Sequence, residues 1–499
     1  MYKIHYIILY LVIFEIFLKI AMNYQVESSK SEHIYDVVIV GAGPVGLGIA
    51  LGLKKRGVDN ILVIDQTREF RQVGQVIDLL PNGLKAIKYL DPIAYDRVKE
   101  ARFDISGSKQ ENQKDNSRFW HNRNLQGEII RSIPLRFEDW FKQYGEGRIS
   151  IRWYDLQTTL RKMLPTESVK ANHRCISIEE NADFITVNCA SDTSIENNPF
   201  ANWNLEKSAK KSNNSGDTQV EKITQNQKIK AKIIIGSDGI NSTIRNQIYA
   251  HTELEKWSKP EYSGWTGISC FSIDNVPDSI IKELAEKYLK DNKIVSIISD
   301  TKKSKSTENI EARIILIRHQ YNSMGFLFHG TLDLKLVQEQ PNEFIIKYLV
   351  EIVEKSDYPD SIAQLIRLTP LDKIINRPYY IHSANIPVEN QILWTKGRII
   401  LVGDAAHGMP PFAAQGANQG FEDAAIVTTL INKIVKNNDL DNQTIITKEF
   451  AKYEEIRRPF MVKMQTATMN NQKWSKQQWD DYQTMVYSRD FENFCNSIS

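Results

Sequence analysis

The sequence predicts an α/β chain: a doubly wound sheet-and-helix domain, a second sheet inserted into it, and a helical C-terminus. Three observations carry this. A short apolar strand runs into a glycine-rich turn and a helix across Asp36–Gly57, and a second strand, Asn60–Asp65, follows at once, completing a βαβ unit. Between about 251 and 384 several strand-like runs gather, among them Arg313–Arg318 and Gly325–His329. After Glu422 the pattern is mainly helical to the end.

Taken in order, residues 1–33 precede any folded pattern. Tyr6–Phe14 is uninterruptedly apolar, but Glu15 and Lys19 break it, and a spanning helix wants about 20 apolar residues. Three readings stay open: a dispensable leader or a true start at Met22, a signal peptide without an evident cleavage site, and an anchor. Membrane contact is expected only through residues 4–21, and a cytoplasmic location otherwise. Residues 34–250 and 385–430 form the first domain, with 190–228, rich in Asn, Ser, Lys, Gln and Thr, as a solvated insertion. Residues 251–384 form the sheet domain that holds substrate, and 431–499 the C-terminal helices.

Composition narrows the function. Lys and Arg number 63 against 61 Asp and Glu, a net charge of +2, which gives no bulk case for a nucleic-acid partner. A mean hydropathy of -0.39 excludes a many-span membrane protein. Cys175, Cys189, Cys270 and Cys495 stand far apart without a CxxC pair, so neither a disulfide scaffold nor a metal site is expected.

Gly41-x-Gly43-x-x-Gly46 lies directly after a strand and opens a helix. In a Rossmann-type unit the first glycine makes the tight turn, the second lets backbone approach a pyrophosphate, and the third lets helix and strand pack closely. Pro44 and Val45 fill the loop between them, and the helix start offers free N–H groups to phosphates. Asp65, 19 residues beyond Gly46 at the end of the second strand, is placed to accept from ribose hydroxyls.

Two later segments give the dinucleotide its identity. Ile233–Arg245 (IIIGSDGINSTIR) is a strand ending in Gly236-Ser237-Asp238-Gly239, and Arg398–Ala424 carries Gly403-Asp404, a proline-marked loop and Gln415-Gly416-Ala417-Asn418 at a helix start. With the glycine turn, these resemble the class A single-component FAD monooxygenases, the superfamily of para-hydroxybenzoate and salicylate hydroxylases, from about Tyr35 to about Pro459. Arg152 matches a family position ahead of a helix beside the cofactor, and Phe70–Leu90 resembles the segment leading to the substrate side. Ser237, in place of the usual alanine, and Ala413, where glycine is common, depart from the pattern.

The resemblance implies FAD as cofactor and NAD(P)H as transient co-substrate. It implies O2 activation through a flavin C4a-hydroperoxide, and a small aromatic or olefinic substrate that is hydroxylated or epoxidised. The cofactor contacts it implies are Gly41, Gly43, Pro44, Val45, Gly46, Asp65, Arg152, Asp238, Gly403, Asp404, Gly416, Ala417 and Asn418. A carboxylate at 404 suits ribityl hydroxyls, and the helix start at Gly416 would favour an anionic reduced ring. His407 reads as loop scaffold, and Trp265, Tyr262, Tyr379 and Tyr380 read either as the lining of an aromatic pocket or, with more weight, as ordinary core. No residue is assigned as catalytic. The alternatives are a flavin-dependent reductase of isoprenoid double bonds and a non-catalytic protein of the same fold.

Overall fold

The computed structural model describes residues 33–67, 75–103, 119–192, 224–290, 292–299, 311–387, 393–470 and 474–499. The leader expected before His33, the centre of the insertion (193–223) and residues 68–74 lie outside them.

Two sheets organise the chain. In the first, the strands run in the order Thr395–Lys396, Ile399–Leu401, Thr224–Gly236, Ile34–Val40, Ile61–Ile64 and Val169–Lys170, with Arg174–Glu180 and Ile185–Asp192 joined beside Thr224–Gly236. Ile34–Val40 is parallel to both its neighbours. Its Val37–Val40 run is no more than 5 % exposed at any residue, as a parallel strand covered on both faces requires. Helix Pro44–Lys55 starts with proline at its first turn, where the missing N–H costs nothing. It packs against helix Gly416–Lys436, whose residues from Asn418 to Asn432 are all buried. Gly48 and Gly52 make that approach close: a Cβ at 52 would stand 2.5 Å from Leu90 and 3.0 Å from Thr428.

The second sheet has the order Ile375–Ile381, Glu261–Ile273, Met324–Thr331, Ala312–Arg318, Ile294–Ile298, Phe119–Arg123 and Ile129–Pro134. Strand periodicity divides its side chains cleanly. Ile268, Cys270, Phe326, Phe328, Ile314, Leu316, Val295 and Ile297 form one core with Leu284, Leu349, Val353, Ile362 and Ile366 of the covering helices. The alternate residues turn to the other face.

Two expected boundaries shift. Phe119–Arg123 and Ile129–Pro134, placed by sequence within 34–250, belong to the second sheet, because Phe119–Arg123 pairs in parallel with Ile294–Ile298. The expected insertion 190–228 is narrower, since 190–192 and 224–228 are strand residues paired antiparallel, Asp192 opposite Thr224 and Asn188 opposite Lys228. Their polar side chains disguised a ladder made by backbone. Among the described residues no helix is long and apolar enough to cross a membrane.

Candidate active site

The first strand ends at Gly41, whose φ of +111° excludes ordinary side chains. A Cβ there would lie 2.3 Å from the Ser237 carbonyl oxygen, and one at Gly46 would lie 2.1 Å from the Gly41 oxygen. The Ser237 hydroxyl closes this joint by donating to the carbonyls of Val40 and Gly41 at 3.0 and 2.9 Å. Gly43 differs. Its φ of −68° and ψ of 170° suit any residue, and a Cβ would meet nothing within 4 Å. Packing demands glycine at 41 and 46 but not at 43.

Asp65 is committed to this turn: Oδ2 accepts from the Ala42 N–H at 2.7 Å and Oδ1 from the Thr67 N–H at 2.7 Å. Each carboxylate oxygen retains a lone pair for a further donor. Gln157, unremarked in the sequence, is 3 % exposed and donates from Nε2 to the Ala42 carbonyl at 2.7 Å. Val45 links the turn to the Gly403 loop, its Cγ2 standing 2.5 Å from where a Cβ at Gly420 and 3.6 Å from where one at Gly403 would be. Arg152 is exposed at the start of helix Trp153–Arg161, its guanidinium 5.2 Å from the Phe103 ring centroid.

Two sequence candidates have other duties in the structure. Asp238 caps helix Thr243–Tyr249, accepting from the Ser242 hydroxyl at 2.5 Å and the N–H groups of Thr243 and Ile244 at 2.6 and 3.2 Å. Burial pushes its carboxyl up while those hydrogen bonds pull it down. The Asn418 side chain is wholly buried, accepting from the Leu80 N–H at 2.9 Å and donating to the carbonyls of Asp78 and Ala414 at 2.9 and 2.6 Å. It pins the entry to helix Pro81–Leu90, so at 418 only the backbone N–H is left for a ligand.

Gly403 has φ +58° and ψ −138° and donates its N–H to Asp423 at 2.9 Å. Asp404 follows, its Oδ1 3.7 Å from where a Cβ at Gly416 would stand. Although exposed to solvent, it sits deep among protein atoms, and that desolvation raises its carboxyl above the usual range, His407 opposing and Asp423 adding. The uncapped start of helix Gly416–Lys436 lies beside it. There the N–H groups of Gly416, Ala417 and Asn418 precede the first intrahelical bond, Gln419 N–H to Gln415 oxygen. His407 is 1 % exposed and joined through Nε2 to Asp423 at 2.6 Å, a scaffold position.

Sequence comparison marked Ala413 as the departure in this loop; the structure puts the conformational burden on Ala414, at φ +51° and ψ 34°. A left-handed alanine costs about 1–2 kcal/mol, and glycine returns about 0.4–1 kcal/mol of that through unfolded-chain entropy. Ala414→Gly is therefore expected to stabilise the protein by up to about 1 kcal/mol, read as a raised urea midpoint. A lowered midpoint would show the strain to be absent.

Phe412 reaches from this loop to the second sheet. Its ring lies 5.0 Å from Trp265, 5.2 Å from His329 and 5.7 Å from Tyr379. Trp265 and Tyr379, for which core and pocket lining both stood open, wall the junction between loop and sheet, whereas Tyr262 bonds to Thr266 and to the Leu332 carbonyl and packs on Tyr380. Gly267 admits Tyr379, whose hydroxyl stands 2.1 Å from where a Cβ would be. Burial pushes Tyr379 up to about 12 and His329 down to about 3. Arg313 lies opposite His329 in register and shares its face. Sequence reasoning passed over Arg313 and His329; the signal was a polar residue interrupting an otherwise apolar strand at period two.

Comparison with known proteins places these elements in a family. The FAD binding domain family matches residues 34–75 and 357–467, which include the glycine turn and the Gly403–Asn418 loop. A FAD-dependent monooxygenase of Gibberella moniliformis is 23% identical over 441 residues, 85% of this chain and 83% of that protein. A 6-hydroxynicotinate 3-monooxygenase of Bordetella bronchiseptica is 22% identical over 399 residues, 80% and 82% of the two. Among solved structures, a salicylate hydroxylase substrate complex superposes with a TM-score of 0.61 at 16% identity, covering 93% of this chain and 98% of that one. That last likeness is one of fold.

Proposed function

We propose that this chain, which belongs to the class A FAD-dependent monooxygenases, takes NAD(P)H and O2 to insert one oxygen atom into a small aromatic molecule. The observation that carries the reading is the junction at Phe412. There the loop running from Gly403 to the Gly416 helix start meets an aromatic-lined sheet face.

The residues present fit FAD. At Gly43 a Cβ would enter free space beside a helix start, which is the cradle a diphosphate needs. Asp65 has lone pairs left for a ribose, and Asp404 presents a carboxylate to ribityl hydroxyls. The N–H groups of Gly416, Ala417 and Asn418 at the uncapped helix start would hold the flavin end of the cofactor, where their dipole would favour negative charge. Asp238 contributes by capping its helix, and the Asn418 amide by holding the loop. Bound FAD supplies the redox chemistry, accepting hydride and activating oxygen. The chain would orient it, and Trp265, Phe412 and Tyr379, packed together at the junction, would keep water from the reacting face.

An aromatic substrate is preferred to an olefin because these rings offer offset and edge-on partners for another ring. The test is direct. Flavin-loaded protein is mixed with NADH or NADPH and a panel of aromatic compounds under isotopically labelled O2. Stimulated NAD(P)H oxidation with one labelled oxygen in the product is expected. Stoichiometric hydrogen peroxide with no oxygenated product across the panel would overturn the reading.

A further inference from the structure

The Gly403–Gly416 loop and the chain returning from the second sheet meet on one side chain. Gln465 lies on helix Gln443–Asn470 and is 5% exposed. Its Oε1 accepts from the Ala384 N–H at 2.8 Å. Its Nε2 donates to the His382 carbonyl at 2.7 Å and lies 3.2 and 3.5 Å from the carbonyls of His407 and Gly408. His382 and Ala384 come directly after Ile375–Ile381, the edge strand of the second sheet. His407 and Gly408 close the short helix that begins at Asp404. The amide fits only this way round, since reversal would set its oxygen against three carbonyl oxygens.

The joint is closed from its other sides as well. The His382 N–H donates to the Gly408 carbonyl at 3.0 Å, and the His382 ring bonds through Nε2 to the Ile240 carbonyl at 2.8 Å. Burial, with Arg245 nearby, pushes that ring down to about 3, so it is neutral and spends its single proton on this bond. Ile240 reaches the joint because residue 408 is glycine, its Cδ1 lying 2.3 Å from where a Cβ would be. Thr468, one turn beyond Gln465, donates its hydroxyl to the Met409 sulfur at 3.5 Å. Met461, Met464 and Ala467 bury the same helix in the core of the first domain, so Gln465 stands on a fixed support.

What the loop carries makes its position matter. Asp404 stands at its start and the Gly416 helix at its end, while Phe412 packs on Trp265, His329 and Tyr379 of the second sheet. Gly408 lies four residues before Phe412. We propose that Gln465 is a positioning residue that sets this loop against the second sheet, and so decides how much of the NAD(P)H oxidised ends in oxygenated product. This rests on the monooxygenase reading. A loop released at His407 and Gly408 would admit water at the Phe412 junction. The two electrons of NAD(P)H would then reduce O2 to hydrogen peroxide, instead of leaving one oxygen atom in product and the other in water.

Gln465→Met keeps the length of the side chain and removes both donor and acceptor. It is expected to take up FAD like the parent. With phenol, 4-hydroxybenzoate and 6-hydroxynicotinate as substrates, product formed per NAD(P)H should fall fivefold or more, with hydrogen peroxide making up the difference. Hydrogen exchange of the full chain, read by mass spectrometry, supplies a measure independent of turnover. Amides in 382–386 and 404–414 should exchange at least tenfold faster than in the parent, and those in 312–331 of the second sheet at the parental rate. A merely structural role would speed both regions together. Gln465→Glu, when ionised, keeps the acceptor for Ala384 and loses the donors, so it should loosen 404–414 more than 382–386; it also serves if the methionine variant does not fold. Parental coupling in the variants, or exchange raised equally at 312–331, would each overturn the proposal. If the parent oxygenates none of the three compounds, it is the monooxygenase reading that fails, and the loop's exchange still tests the tether.

Discussion

Arg457→Met is expected to lower the stability of the folded chain by about 3–5 kcal/mol, the cost of stranding buried charge. Arg457 is 1% exposed. Its Nε donates to Asp423 at 2.7 Å, Nη1 to Glu422 at 2.8 Å and Nη2 to the Gln419 amide oxygen at 2.7 Å. Both carboxylates are wholly buried, so methionine would fill the volume and leave the charges. Asn82 and Arg489 would still serve Glu422, at 2.8 and 2.5 Å, and His407 would still serve Asp423. The penalty therefore falls mainly on Asp423. Burial alone would raise its carboxyl, but His407 and Arg457 together carry it below the usual range. A carboxyl lowered by folding stabilises above its unfolded pKa, and that contribution is lost as pH falls through the folded value. With Arg457 gone the folded value rises, so the variant should begin losing stability at a higher pH than the parent. Urea unfolding at neutral and mildly acid pH reads both effects. Arg489→Met is the comparison: its guanidinium is 32% exposed and should cost less. A loss below about 1 kcal/mol for Arg457→Met would place the network outside the stability of the fold.

How much of this was legible in the sequence depends on the range of the forces involved. The glycine turn and its helix could be read because one local unit carries the pattern, and the loop from Gly403 to the helix start at Gly416 could be read because it is likewise local. Asn418 and Asp238 show the limit. For each, the partners that claim the side chain are set by packing or capping geometry, in one case 340 residues away in sequence. Gln157 was illegible for the same reason, since an amide on a helix says nothing of the carbonyl it will meet. Phe119–Arg123 fell inside the expected first-domain range 34–250 because the sequence does not show which sheet a strand will join. The inner face of the second sheet was half-legible: period two predicts that Arg313 and His329 leave the apolar core, but not that their destination is another buried surface.

Two glycines of the first turn, Gly43 and Gly46, should separate what the fold needs from what a ligand needs. Gly46→Ala is expected to destabilise the protein without any cofactor present, because its Cβ would stand 2.1 Å from the Gly41 carbonyl oxygen and 2.5 Å from the Ser237 hydroxyl. The backbone oxygen cannot swing aside, and the strand-to-helix joint would have to open. Gly43→Thr should behave in the opposite way. The backbone at 43 is extended, the residue caps helix Pro44–Lys55, and a Cβ meets nothing within 4 Å. Threonine serves about as well as glycine at such a cap, so flavin-free stability should change by no more than about 0.5 kcal/mol. Its branched side chain would nevertheless occupy the approach to the helix start, where a diphosphate must come close to backbone N–H groups. FAD affinity should fall by a factor of about 100 or more, or roughly 2.7 kcal/mol. Equilibrium titration of flavin-free protein with FAD, beside urea melts of the same preparations, measures the two quantities independently. If Gly43→Thr bound FAD like the parent, the diphosphate would lie elsewhere, and the Gly41–Gly46 turn would be a structural joint alone.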